Sequence, residues 1–205
     1  MTISLSDAGK RFNRDWIFRH FSYQFNQGNS YAITGPNGSG KSTLLQVLGA
    51  SMMINEGKIS FSLHEKTLSS EEVYRNMSIC APYLELIEEM TLLEFFRFHA
   101  GFKPFLKGLD AERIIEIIGL QKAVHKQIRH YSSGMRQRVK LAQCILSDVP
   151  LVLLDEPCTN LDKTGIDLYH SMIQTYCSDR LVVVSSNDEV EYDFCREKVN
   201  LNDYK

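Results

Sequence analysis

Two rhythms of apolar residues alternate along the chain. Short runs rich in Val, Ile, Leu, Tyr and Phe recur at Ile3–Leu5, Phe21–Phe25, Tyr31–Thr34, Ile59–Ser62, Met77–Ala81, Leu151–Asp155 and Leu181–Ser185, and each has the length and residue type of a strand. Between them lie stretches with apolar residues three or four apart: Ser42–Ala50, Leu92–Ala100, Ala111–Leu120 and Met135–Leu146. That spacing predicts helices, with Ile114, Ile117 and Ile118 on one face of the third and Val139, Ala142, Ile145 and Leu146 on one face of the fourth. Strands alternating with helices predict an α/β fold with a mainly parallel central sheet. Leu151–Leu154 and Leu181–Val184 are apolar without a break, as strands covered on both faces are, so they belong at the sheet centre. From Ala81 to Leu151 the pattern is almost wholly helical, which predicts a helical subdomain interrupting the sheet. No internal repeat or low-complexity stretch appears, and the loop around Gly101 to Lys107 is the expected flexible segment.

Composition narrows the picture. The chain has 205 residues, enough for one well-buried domain or one domain with an inserted subdomain. Its 23 basic and 25 acidic residues give a formal charge of −2, and no basic stripe tracks a nucleic-acid backbone, so no direct nucleic-acid partner is expected. The N-terminal MTISLSDAGKRF lacks the apolar core of a signal peptide, and no apolar run approaches the roughly 20 residues that span a bilayer. A cytosolic setting is expected. The five cysteines, at 80, 144, 158, 177 and 195, show no C-x-x-C spacing and read as reduced packing thiols, with no zinc site indicated.

The chemistry concentrates in two places. Gly35-Pro36-Asn37-Gly38-Ser39-Gly40-Lys41-Ser42-Thr43 fills every fixed place of the phosphate-loop pattern, between a predicted strand and a predicted helix. Backbone N–H groups curling around an anion, with a helix N-terminus behind them, suit the β- and γ-phosphates of a nucleotide. Lys41 adds a mobile charge there, and the Ser42 hydroxyl suits one place in the shell of Mg²⁺. The second place is Leu151-Val-Leu-Leu-Asp-Glu-Pro157, an apolar strand that delivers two adjacent carboxylates to the end where open α/β sheets bind ligands. Asp155 suits metal binding. Glu156, on the other face, suits a general base that orients and deprotonates an attacking water, a role worth roughly 10²–10⁴ in rate.

Tyr131-Ser132-Ser133-Gly134-Met135, followed by Arg136 to Ala142, resembles the signature L-S-G-G-Q-x-x-R-x-x-[IL]-A of the ATP-binding cassette ATPases. The order of parts along the whole chain is similar to that family: phosphate loop, helical subdomain ending in the signature, Asp-Glu strand, Leu161-Asp162, and a switch segment near residue 187. The resemblance implies a P-loop NTPase core of the RecA-like type with a small antiparallel β subdomain and an inserted helical subdomain. The expected core is 1–82 and 136–205, with the helical subdomain at about 83–135. It implies ATP and Mg²⁺ as cofactors, and a second anion site at Ser132, Ser133, Gly134 and Met135 that closes on the ATP of a partner cassette. An ATP-dependent head-to-tail dimer, homomeric or heteromeric, is thereby implied. Phe12 falls where the family stacks an aromatic ring on adenine, Trp16 is the alternative, and a core place in the first hairpin would equally explain Phe12. Asp162 is either an inter-subunit contact or a plain helix cap.

Three departures bear on catalysis. Tyr83 stands where the family has a glutamine near the metal and water. Ser133 and Met135 replace a glycine and a glutamine of the signature, adding a side chain beside a closely approached phosphate. Asn187, in Val184-Ser-Ser-Asn-Asp188, replaces the switch histidine; an amide donates hydrogen bonds to a γ-phosphate but cannot become cationic. Slow, nonzero hydrolysis with weak pH dependence is expected, since Lys41, Ser42, Asp155 and Glu156 are retained; complete loss of hydrolysis, with ATP binding alone driving dimerisation, is the alternative. The implied function is the ATP-hydrolysing subunit of a transporter whose membrane-spanning permease is a separate chain, peripheral at the cytoplasmic membrane face. The permease would engage Tyr83 to Glu94, with Leu84, Leu86 and Ile87 receiving a short helix. A soluble cassette ATPase of DNA repair, chromosome maintenance or translation is the alternative; a P-loop kinase would leave the signature and the Asp-Glu pair unexplained.

Overall fold

The computed structural model describes residues 1–205. The chain opens with a hairpin in which β1 (Thr2–Phe12) pairs antiparallel with β2 (Asp15–Asn26). Both strands outrun the segments their apolar cores predict. Asp7 and His20 take left-handed φ values of 49° and 54°, and the register slips beyond Leu5. Such bulges break the two-residue alternation by which a strand is recognised. Next come β3 (Ser30–Thr34) and α1 (Lys41–Leu48). Then β4 (Glu56–Leu63) joins the free edge of β1, and the short β5 (Lys66–Thr67) completes an antiparallel sheet of order β2-β1-β4-β5.

After the one-and-a-half-turn α2 (Ser70–Arg75), held by a capping box between Ser69 and Glu72, β6 (Met77–Cys80) enters the second sheet. The helical stretch then supplies α3 (Leu92–Phe102), α4 (Ala111–Ile117) and α5 (Ser133–Ile145) before the chain returns as β7 (Leu151–Asp155). Finally α6 (Lys163–Tyr176), β8 (Leu181–Ser185) and β9 (Glu197–Asn200) follow. The second sheet has the order β6-β7-β8-β3-β9, and β8 pairs in parallel with both β7 and β3, as β3 does with β9. Every residue of β7 and β8 is buried, as their unbroken apolar runs predict. The fold is thus a P-loop NTPase core with a parallel sheet and a small antiparallel sheet.

Two compact units emerge. One comprises Met1–Ile79, Val149–Glu156 and Asp179–Lys205. Its core joins Ile3, Leu5, Phe21, Phe25 and Phe61 of the antiparallel sheet to Leu44, Leu45 and Leu48 of α1 and to Ile33, Leu153 and Val183 of the parallel sheet. Burying each such side chain contributes about 1.5–3 kcal/mol before entropy is counted. The other unit comprises Cys80–Asp148 and Pro157–Ser178, with Phe95, Phe96, Ile114, Ile115, Val139, Leu141, Tyr169 and Met172 buried. Its helices start where side chains satisfy the first N–H groups: Thr91 with Glu94, then Asp110, Ser132 and Asp162. In α4 the core face runs through Ile114, Ile115 and Ile118, while Ile117 is only half-buried, a rotation from the predicted face.

Candidate functional site

The phosphate loop joins β3 to α1. Gly40 is the N-cap of α1 with φ 101°, and a Cβ placed there would lie 2.0 Å from Ile17 Cγ2, so only glycine fits this turn. No side chain caps α1 and no acidic residue occupies its first turn, in contrast to the capping boxes at Ser69 and Thr91. Its first N–H groups therefore remain available to an anion. Lys41 is 6% exposed, and its Nζ donates to the carbonyls of Gly35 at 2.8 Å and Pro36 at 3.3 Å. Burial lowers its pKa, while the carboxylates of Glu156 and Asp155 pull the other way. Lysine and both acids thus share one electrostatic neighbourhood.

The carboxylates differ sharply in setting. Asp155, the last residue of β7, is 3% exposed. Glu156 turns out of the strand with φ 46°, is exposed, and donates its backbone N–H to the Ser185 carbonyl at 2.9 Å. A non-glycine residue held left-handed costs of order 1–2 kcal/mol, and here the turn sends the two acidic side chains to different surroundings. Two hydroxyls in this unit are buried without a hydrogen-bond partner: Ser39 Oγ in the loop and Ser185 Oγ at the end of β8. Leaving such a group unpaired costs about 1–3 kcal/mol. Asn187, expected at the switch position, is exposed two residues beyond β8 and donates from Nδ2 to Asn37 Oδ1 of the phosphate loop at 2.7 Å. No sequence signal announces this contact between residues so far apart. Lys205 Nζ also reaches the loop, at the Ser39 carbonyl, 2.9 Å away.

At the first hairpin, Phe12 is 46% exposed, with Lys10 Nζ 5.1 Å from its ring centre; it is not a core residue. The Trp16 ring lies against Gly9 and within 5.4 Å of the Arg11 and 4.5 Å of the Arg19 guanidinium. Of the two candidate rings, Phe12 is therefore the more open.

In the helical unit, α5 begins at Ser133, and the Ser132 hydroxyl accepts from Met135 N at 3.2 Å. Ser132 and Ser133 are exposed, while Gly134 and Met135 are half-buried. A Cβ on Gly134 would sit 3.0 Å from the Asn160 carbonyl, so glycine lets the Asn160 loop close down on the signature turn. Asp162 caps α6 by accepting from Gly165 N at 2.8 Å and also meets Arg138 at 3.2 Å. Its cap role is realised within the chain. Tyr83, Leu84 and Ile87 are exposed and Leu86 is buried.

The ABC transporter family model matches residues 18–159. Over 196 residues the chain is 30% identical to the cytochrome c biogenesis ATP-binding export protein CcmA of Rhizobium meliloti, with 92% of each chain covered. It is 28% identical to the uncharacterized ABC transporter ATP-binding protein YhcH of Bacillus subtilis, covering 90% of this chain and 61% of that one. The chain spans 55% to 61% of the length of three such Bacillus subtilis relatives. The fold matches a dimeric bacterial ABC transporter cassette with a TM-score of 0.81 at 20% identity, over 97% of this chain and 94% of that one. No helix is long and apolar enough to cross a membrane. With well over half of its length matched by the family model, and a relative 30% identical with 92% of each chain covered, the protein belongs to the ABC transporter family as one of its ATP-binding cassettes.

Proposed function

We propose that the chain binds and hydrolyses ATP to drive a membrane transporter whose spanning chains are separate polypeptides. The observation that carries this reading is the uncapped, acid-free start of α1, where the Nζ of the buried Lys41 is held on the phosphate-loop carbonyls of Gly35 and Pro36. Residues Gly35 to Thr43 cradle the phosphates through backbone N–H groups, and Lys41 exchanges its two loop carbonyls for phosphate oxygens. Phe12 offers its open ring to the adenine. The Ser42 hydroxyl and Asp155 carboxylate are hard oxygen donors that fit Mg²⁺, and the buried, unpaired Ser39 hydroxyl gives the loop one more donor for a polyanion. When bound, the ion neutralises charge on the phosphate oxygens.

Glu156, exposed and held off the strand axis, orients and deprotonates the attacking water. Asn187 donates a hydrogen bond to the terminal phosphate from its place beside Asn37; being unable to carry a proton, it stabilises the developing charge less than an imidazolium would. Ser132, Ser133, Gly134 and Met135 form the second anion cradle, completed by the ATP of a partner cassette, identical or different. The dimeric cassette of matching fold supports that arrangement. Tyr83, Leu84 and Ile87 are the exposed apolar residues to which a permease helix would dock, placing the chain at the cytoplasmic membrane face. Purification from membranes with identification of the co-isolated chain tests the assignment: a spanning polypeptide is expected, whereas recovery with ribosomes or DNA alone contradicts it.

A further inference from the structure

Ser185 closes β8. The residue is 0% exposed, yet Oγ has no hydrogen-bond partner. Strand register locates it. Ser185 lies directly opposite Asp155 of β7 on one side and Ile33 of β3 on the other. Residues opposite one another in adjacent strands project to the same face, and the face alternates along each strand. Ile33, Leu153 and Val183 pack in the core with Leu44, Leu45 and Leu48 of α1, and Gly49, just past α1, lies over Leu153. Two residues further along β7 and β8, the same face carries Asp155 and Ser185. The buried hydroxyl therefore stands beside the buried carboxylate, at the strand ends from which the phosphate loop springs and on the side that α1 covers.

A serine in this position holds a donor in reserve. Rotation about χ1 swings Oγ through its staggered positions without moving the strand, and a carboxylate that gives one oxygen to a cation still has lone pairs on the other to satisfy. We propose that Ser185 is a positioning residue for Asp155: with Mg²⁺ and ATP in place its hydroxyl donates to the Asp155 carboxylate and holds the carboxylate in its metal-binding orientation. This rests on the reading of Asp155 as the metal-binding acid.

A mainly structural serine and a positioning serine respond oppositely to Ser185→Ala. In the positioning case, removing an unpaired buried hydroxyl leaves the ligand-free melting temperature unchanged or raises it by a few degrees. The Mg²⁺ concentration that half-saturates the rise in fluorescent-ATP affinity increases about five- to tenfold, and affinity measured in EDTA stays at the wild-type value. Ser185→Thr, which keeps the hydroxyl, restores most of the Mg²⁺ response. A lower ligand-free melting temperature for Ser185→Ala, or a Mg²⁺ titration that superimposes on wild type, overturns the proposal. Absence of any Mg²⁺ response in wild type removes the metal-site reading itself, and the proposal with it.

Discussion

His99 makes the helical unit sensitive to acid. Its Nε2 lies 2.9 Å from Ser147 Oγ, and its Nδ1 lies 3.1 Å from Gln143 Nε2. The single hydroxyl hydrogen of Ser147 is spent on the Gln143 carbonyl at 2.6 Å, so Ser147 accepts from Nε2–H while Nδ1 accepts from the Gln143 amide. Both ring nitrogens are thereby satisfied only in the neutral form. Burial, reinforced by Lys103, pushes the pKa down from 6.5 to about 4. The unfolded chain then binds the extra proton first, so stability is complete above the unfolded value and falls as pH drops toward the folded one. Moving from pH ~7 to ~5 costs roughly 2 kcal/mol on these values, trimmed to about 1–1.5 kcal/mol by the ring's partial exposure. That corresponds to a melting shift of about 2–6 °C for a chain of this size. Urea unfolding of wild type and His99→Gln at both pH values isolates the effect, because other titrating groups cancel in the difference. Wild type should lose more stability than the variant on acidification. Parallel pH curves, or a variant that loses more, would refute the neutral-tautomer network.

Two further outcomes follow from the phosphate loop. Gly40→Ala puts a Cβ against Ile17 Cγ2 at a φ that side chains rarely adopt; a loss of about 2–4 kcal/mol in denaturation and at least tenfold in ATP affinity is expected, with Ile17→Ala in the same chain recovering part of the stability but not all. Asn187→His gives the switch position a group that can carry a proton, so turnover should rise several-fold and show a steeper pH dependence between about 6 and 8 than the weak one expected of wild type; a variant no faster than wild type would remove Asn187 from the catalytic account.

How far the sequence alone revealed this molecule depended on whether a feature was contiguous. The phosphate loop, the Leu151–Asp155 strand and the signature turn each place their chemistry in one short run; the structure folds the first two as the strand–loop–helix and buried strand they predict, and starts α5 two residues before the predicted Met135, with Ser132 as its cap. Elements were missed where the local pattern is diluted. In α6 the buried Gly165, Tyr169, Met172 and Ile173 are interleaved with Asp167 and His170, and β9 has one buried residue, Val199, among exposed neighbours. Its strand identity comes from pairing with β3. Bulges at Asp7 and His20 hid the true length of the first hairpin. The Asn37–Asn187 contact, the His99 network and the orphaned Ser185 hydroxyl join residues distant in sequence or depend on a partner's absence. No periodicity or motif encodes such facts.

The central claim, that two incomplete anion cradles are joined across a subunit seam by the ATP they share, is tested most directly with Glu156→Gln. This variant keeps the phosphate loop and Asp155 but loses the carboxylate proposed as the base. With saturating Mg²⁺-ATP it should bind nucleotide, show at least a hundredfold slower hydrolysis than wild type, and elute from gel filtration as a dimer that returns to monomer when ATP is removed. A variant that binds ATP yet stays monomeric, or one that hydrolyses at the wild-type rate, would contradict the account.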